Sequence, residues 1–537
     1  MRHSDVRRGG RTTVRLAVTV AVAAVAVALL GAGCSSAPST PAASSPGGGA
    51  TIALLREGAS TDFSNLDDEH ADGYISANYF DHLLKIGSDG QVEPWLAQSV
   101  TQQGSTVYVY HLRHGVTFWD GDEMTSADVV NALNFYNSPG FETASYYEDV
   151  RSITASGPYT VVVTLKRPDA GWPYTLALTG GIFEKKFQEE HKATMGQPGV
   201  GEMATGPYEI QSFDPTTGLE LTANPHYWGG KVTVQHISVK FFATDISMAL
   251  AFRAGEIDVA FPQSAQQFAS PCGCKVISAP TNSSAGITMN VNLAPFNNIH
   301  VRRAIAYAVD RPAEIEASGD PSTSDTTVLA PIELRTLGSQ AQVNALINAL
   351  PSYPYNVAKA KAELAQSPYP HGFTTTVYTL EFGVYTPETE VVAAQLAAIG
   401  IKLDIKELTF NGWIARWSGP KTTGLWVVTN LTGIGPDPDQ DAAWMLAGKN
   451  ATAQGGTNLA DYSSPAVDKL LARADSTENK AERLALYGQV LTIAANAVPY
   501  VMLYTHSSDL VLSPKFSWPE FNEYFYSSPW ALSIRPS

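Results

Sequence analysis

The chain has 537 residues, more than one hydrophobic core ordinarily organises, so two or more domains are expected. It is 44% hydrophobic and 16% charged, an ordinary globular composition with rather few charges. The formal charge of −16 argues against nucleic acid as a partner, because phosphate affinity comes from Lys and Arg, and a solvated acidic surface is its plain reading.

The N-terminus reads as an export signal, residues 1–33. Arg7, Arg8, Arg11 and Arg15 precede an uncharged run from Leu16 to Leu30, and small residues follow in "LLGAGCSS". That run is shorter than the ~20 apolar residues a membrane-spanning helix needs. Cys34 directly follows Gly33 and resembles the acylated cysteine of a bacterial lipobox, although the usual aliphatic residue three before it is replaced by Gly31. The alternative is a plain secretory signal with a chance cysteine. Arg7-Arg8 lacks the rest of a twin-arginine pattern, so the export route stays open. Residues 34–50, in "SSAPSTPAASSPGGGA", cannot bury enough apolar area to order themselves and read as a tether.

The body alternates strand-like and helix-like stretches. "STVYVYHLR" (105–113), "YTVVVTLK" (159–166) and "QHISVKFF" (235–242) predict strands. "SADVVNALNFY" (126–136), "HVRRAIAYAVD" (300–310), "VVAAQLAAIG" (391–400) and "PAVDKLLARAD" (465–475) carry helical periodicity, with Ser126 placed for an N-cap and Gly400 for a C-terminal stop. This mixture predicts α/β lobes. Cys272 and Cys274, in "SPCGCKV", are expected as an oxidised loop staple, ahead of free thiols or a metal pair with no third ligand nearby.

The most acidic stretch is "TFWDGDEMTSADVV" (117–130), with Asp120, Asp122, Glu123 and Asp128 around Gly121. Its spacing does not complete a calcium loop, since the glycine falls too early and no glutamate stands at the twelfth position. The structural reading is a turn at Asp120-Gly121, then a helix opened by Thr125 or Ser126 with Asp128 at the positive end of its dipole. No metal site is expected.

The order strand, turn, helix through "LRHGVTFWDGDEMTSADVV" closely resembles the signature of family 5 extracytoplasmic solute-binding proteins, the peptide- and nickel-binding receptors of ABC importers. The resemblance recurs in "TGPYEI" (205–210), "ANPHYWGG" (223–230), "ALAFRAGEIDVA" (249–260), "FNNIHVRRAIAYAVDR" (296–311), "GPDPDQDAAW" (435–444) and "YSSPAVDKLLARA" (462–474), in family order over essentially the whole mature chain.

The resemblance implies an α/β, two-lobe periplasmic-binding-protein-like fold with a two-strand hinge. Lobe one comprises residues 51–280, with an inserted subdomain at about 85–200, and regains residues 505–537; lobe two comprises 281–504. It implies a monomeric lipoprotein, anchored through Cys34 to the outer face of the cytoplasmic membrane, that captures a short peptide between the lobes and hands it to membrane permease subunits. Peptide-binding relatives hold the ligand amine with an aspartate four residues before the "DP" proline. Here that proline is Pro438 and the matching residue is Ile434, so the charge is absent. Asn430, Thr432, Gly433 and Gly435 follow the strand entry at Trp426 and fall where relatives contact ligand, with Asp437 close by. The opposite wall is expected from "DDEHADGY", where Glu69 or Asp72 is a replacement amine anchor. His70 suggests haem or nickel, but a lone histidine is more often a surface hydrogen-bonding residue. Trp413, Trp417 and Trp426 are candidate pocket walls.

No cofactor is expected. A receptor for haem, a metal chelate or an oligosaccharide is the alternative, with an exported hydrolase behind it, since the chain has no G-x-S-x-G, H-E-x-x-H or P-loop pattern.

Overall fold

One extended antiparallel pair of strands organises the molecule. Lys275–Met289 runs against Tyr500–Leu512 from Lys275 opposite Leu512 to Thr288 opposite Tyr500, with register shifts between Pro280 and Ser284 and again between Ala285 and Gly286. The computed structural model describes residues 49–55, 73–139, 142–268, 273–319, 323–324, 326–381, 385–417, 422–428, 431, 435–452 and 456–537. The body from Gly47 to Ser537 forms one contact unit.

On either side of the strand pair lies a separate hydrophobic core. The first is built from residues between Ala50 and Phe261 together with Leu510–Ile534, and takes in Ala330 and Ile332. The second side holds two clusters drawn from residues between Ala285 and Tyr504. These are the two lobes, and the chain passes from one to the other along the paired strands. A continuous sheet links them, in the order Lys402–Leu408, Thr374–Leu380, Leu425–Val428, Lys275–Met289, Tyr500–Leu512, Val259–Phe261, Ala50–Leu55, His236–Phe242, Gly218–Ala223 and Tyr208–Asp214. Lobe one also carries a separate four-stranded antiparallel sheet, in the order Ala97–Gln103, Val107–Leu112, Thr160–Leu165 and Val150–Ala155. It falls between strands of the main sheet in sequence and is the inserted subdomain.

The predicted strands and helices form at their expected places. Ser126–Tyr136 is a helix whose N-cap is Thr125 rather than Ser126: the Thr125 hydroxyl accepts from a first-turn N–H while Asp128 reaches back to the Thr125 N–H at 2.9 Å. Gly121 takes φ +95°, and Asp120 Oδ1 accepts the Asp122 N–H at 3.0 Å, a turn closed by its own carboxylate.

The recurrent motifs serve the scaffold. Asp81, 1% exposed, accepts from Trp95 Nε1 at 2.7 Å, Trp228 Nε1 at 2.8 Å and Thr205 Oγ1 at 3.0 Å, tying "TGPYEI" and "ANPHYWGG" to one point. Gly206 is required because a Cβ there would meet the Tyr79 carbonyl oxygen at 2.3 Å. Arg302 donates to the carbonyls of Ala497 and Phe296, and Arg311 to that of Met502, so both arginines pin backbone. Cys274 is disulfide-bonded, and Cys272 lies outside the described residues. Among the described residues no helix is long and apolar enough to cross a membrane.

Candidate functional site

Leu425–Val428 is buried at every position because it pairs on both edges, antiparallel with Gly286–Met289 and parallel with Val377–Tyr378. Its C-terminal residue Val428 lies opposite Gly286, and the carboxyl ends of strands are where open α/β sheets ordinarily take ligands. Leu431 donates its N–H to the Ser284 carbonyl at 2.8 Å, and Asn282 Nδ2 donates to the Gly435 carbonyl at 2.6 Å, so the segment is held to the hinge strand at both ends. A Cβ on Gly435 would lie 2.8 Å from Leu178 Cδ1 of lobe one. Gly435 thus lies against the end of the Leu178 side chain.

Beside this strand stands an aromatic cluster. Trp426 meets Trp413 edge to face at 5.9 Å between ring centres and Trp417 at 6.2 Å, while Tyr378 lies at 6.3 Å. The Arg416 guanidinium carbon sits 3.8 Å from the Tyr378 ring centre, a cation–π contact. Trp426 is 2% exposed and belongs to the core, backing the other rings rather than forming an open wall. Trp413 is also buried, yet its indole Nε1–H finds no acceptor among the described residues. A buried donor without a partner is costly, and it is where an incoming acceptor gains most.

Asp437 does not stand free for a ligand. It caps the helix Pro438–Leu446 by accepting the Asp439 N–H at 3.0 Å, and both its oxygens take Arg483 nitrogens at 2.7 Å. The Asp437 charge is matched by a buried guanidinium. Glu69, His70, Asp72, Asn430, Thr432, Gly433, Ile434 and Cys34 lie outside the described residues.

Sequence reasoning missed an acidic seam between the lobes. A cavity of ≈ 390 Å³ is lined by Asp149, Arg167 and Asp169 of lobe one and by Asp439, Lys449 and Asp475 of lobe two. Burial, reinforced by Asp439, pushes the Asp169 carboxyl up to about 7, and the same causes push Asp475 up to about 10. Burial raises Asp439 as well. Ala170 donates its N–H to the Asp475 carbonyl at 2.9 Å, Gln440 reaches Thr175, and Lys449 pairs with Glu148. No local signal marks this seam, because its members come from three distant stretches and meet only when the lobes do.

The family model "Bacterial extracellular solute-binding proteins, family 5 Middle" matches residues 91–453. The chain belongs to this family. Among curated relatives, the glutathione-binding protein GsiB of Escherichia coli (strain K12) is 26% identical over 464 residues, covering 82% of this chain and 87% of GsiB. The heme-binding protein A of Haemophilus influenzae is 26% identical over 487 residues, covering 84% and 85%. Among solved structures, the ABC transporter-associated periplasmic binding protein DppA from Helicobacter pylori, in complex with peptide STSA, superposes with a TM-score of 0.76 at 24% identity, over 91% of this chain and 98% of DppA. NikA from Brucella suis, in complex with Fe(III)-EDTA, gives 0.75 at 19%, over 90% and 100%. Family membership makes the chain a solute-binding protein, and the likeness to solved structures fixes the two-lobe fold.

Proposed function

We propose that this family 5 protein is the peptide receptor of an ABC importer. The single observation that carries the reading is the lobe-two strand Leu425–Val428, whose Trp426 packs against Trp413, an indole donor with no acceptor among the described residues. A peptide laid beside Val427 and Val428, the part of the strand that Val377–Tyr378 leaves unpaired, satisfies its backbone there. The reading is supported by the likeness to DppA with its bound peptide and by GsiB, whose named ligand, glutathione, is itself a short peptide.

In this reading Asn430, Thr432 and Gly433 continue the strand edge, and Glu69 or Asp72 supplies the anion that Ile434 and the committed Asp437 do not. Lobe limits fall within the paired strands, near residues 280 and 505. The protein acts as a monomer, held by an acylated Cys34 to the outer face of the cytoplasmic membrane, and its closed form is read by the permease. Its work is capture and delivery, with no catalytic step.

The test is mass spectrometry of whatever co-purifies with the protein, followed by calorimetric titration with a tetrapeptide. A ladder of short-peptide masses and saturable binding support the proposal. A single porphyrin, metal-chelate or sugar mass, with no peptide binding, overturns it.

A further inference from the structure

The helix Pro331–Arg335 belongs by sequence to lobe two, yet its segment packs into both lobes. Ala330 and Ile332 join the core of lobe one, while Val328, Leu329, Leu334 and Leu337 join a core of lobe two. Polar contacts repeat the division. Toward lobe one, Arg335 Nη2 pairs with Glu523 Oε1 at 3.0 Å, and the Thr336 carbonyl accepts Gln91 Nε2 at 3.2 Å. Toward lobe two, the Glu333 carboxyl comes within hydrogen-bonding reach of Asp441, on the helix Pro438–Leu446. Residues 328–337 therefore make a further crossing between the lobes, besides the paired strands.

The lobe-two side of this crossing is made by two acids. Glu333 and Asp441 are both 0% exposed. Glu333 Oε2 accepts the Ala330 N–H at 2.6 Å, and Oε1 finds no N–H or hydroxyl donor among the described residues. The surroundings supply little positive charge. Asp437 lies nearby, but Arg483 matches its charge. Arg335 is turned to Glu523, and from the C-terminal segment Tyr524 adds only a phenol. Gln340–Asn348 packs against the helix with no titratable residue, and Lys275–Met289 with only the exposed Lys275. Two buried carboxyls side by side do not both ionise at ordinary pH: one keeps its proton and donates it to the other. Burial, and after it Asp441, accordingly raise the Glu333 carboxyl well above the usual carboxylate range.

We propose that residues 328–337 are a proton-linked strap between the lobes, seated on Pro438–Leu446 while Glu333 and Asp441 share a proton and parted from it when both ionise. A group that holds its proton more tightly in one form favours that form at low pH and ceases to favour it as pH rises. The seated strap is that form. Raising the pH therefore loosens Pro438–Leu446, which follows the strand Leu425–Val428 in sequence, from its tie to lobe one. The device acts on the joining of the lobes and is independent of which solute the protein carries.

The test is hydrogen–deuterium exchange of the full mature chain without solute. It is read on peptides covering residues 328–337 and expressed as protection relative to the unfolded chain, which removes the intrinsic effect of pH. Protection of the strap is expected to fall on the order of tenfold from near pH 6 to near pH 9, while that of Ser126–Tyr136 in lobe one holds. Glu333→Gln cannot ionise, so its strap protection is expected to change less than about twofold over the same range. Should Glu333→Gln fail to fold, Asp441→Asn takes its place with the same expectation. Asp475→Asn alters the acidic seam and leaves the fall intact. The proposal is overturned by equal protection of the wild-type strap at both pH values, by the same fall in a folded Glu333→Gln or Asp441→Asn protein, or by a fall that Asp475→Asn abolishes.

Discussion

Asp437 and Arg483 meet in a two-pronged ion pair, each carboxylate oxygen 2.7 Å from a guanidinium nitrogen, with the side chains 2% and 4% exposed. The pair joins the cap of the helix Pro438–Leu446 to the first turn of Lys480–Ala497. It matches the buried Asp437 charge and anchors the start of Pro438–Leu446.

Breaking this pair from one side leaves a buried charge unmatched. Arg483→Met is expected to cost about 3–5 kcal/mol, because Asp437 then stays buried without its cation. Adding Asp437→Asn to it returns much of the loss. Urea unfolding of the two variants measures both, and a single-variant cost below ~1 kcal/mol rules out the pair as a structural anchor.

The acidic seam makes stability depend on pH in a stated direction. Asp169 and Asp475 hold their protons more tightly when folded, so their contribution is greatest below the ordinary carboxylate value of about 4 and is lost as pH rises, for Asp169 through about 7. The melting temperature is therefore higher near pH 5.5 than near pH 8. Asp475→Asn removes one acid and flattens that slope in a pH series of thermal melts. An unchanged slope means that the seam is not its source.

Trp413 and Trp426 separate binding from folding. Trp413→Phe keeps a ring and deletes the indole donor. If that donor meets the solute, affinity falls about tenfold, while stability changes little because the donor has no partner to lose among the described residues. Trp426→Leu acts on the core instead, costing stability by about 2–4 kcal/mol. Calorimetry and chemical unfolding of both variants distinguish the roles, and full affinity in Trp413→Phe excludes the indole as a contact.

If the solute is a peptide, its ammonium needs an anion other than Asp437, which Arg483 engages. Neutralising the anchor, by Glu69→Gln or Asp72→Asn, is expected to lower peptide affinity by about 2–5 kcal/mol, and N-acetylation of the peptide should act in the same direction. Equal affinities for free and acetylated tetrapeptide in all three proteins place the ligand's N-terminus in solvent.

The helices Ser126–Tyr136 and Pro465–Asp475 were legible to the residue, because caps and periodicity act over a few positions. The strand Lys275–Met289 was not. Its centre reads "APTNSSAG", with a proline and a run of small polar residues, and it is extended because Tyr500–Leu512, more than two hundred residues later, lies against it. Asp437 illustrates the same limit at the site: its neighbour in the "DP" block is visible in sequence, but the arginine that occupies it stands 46 positions away. Motif residues such as Arg302, Arg311 and Asn224 mark the family while holding backbone, so they disclose the scaffold more readily than the solute.

Residues 510–534 close the core of lobe one, which sets the order in which that core is completed. Phe261 stacks on Phe525 at 5.4 Å and meets Trp518 and Trp530 edge to face, and Val259 and Ala260 pair with Leu512 and Val511. A nascent chain that has emerged only as far as lobe two holds the first lobe's strands without the aromatic residues that complete their core. Native assembly of that lobe therefore waits until residues 510–534 have been synthesised. The delay keeps the strands between Ala50 and Phe261 short of their native packing until that late segment arrives.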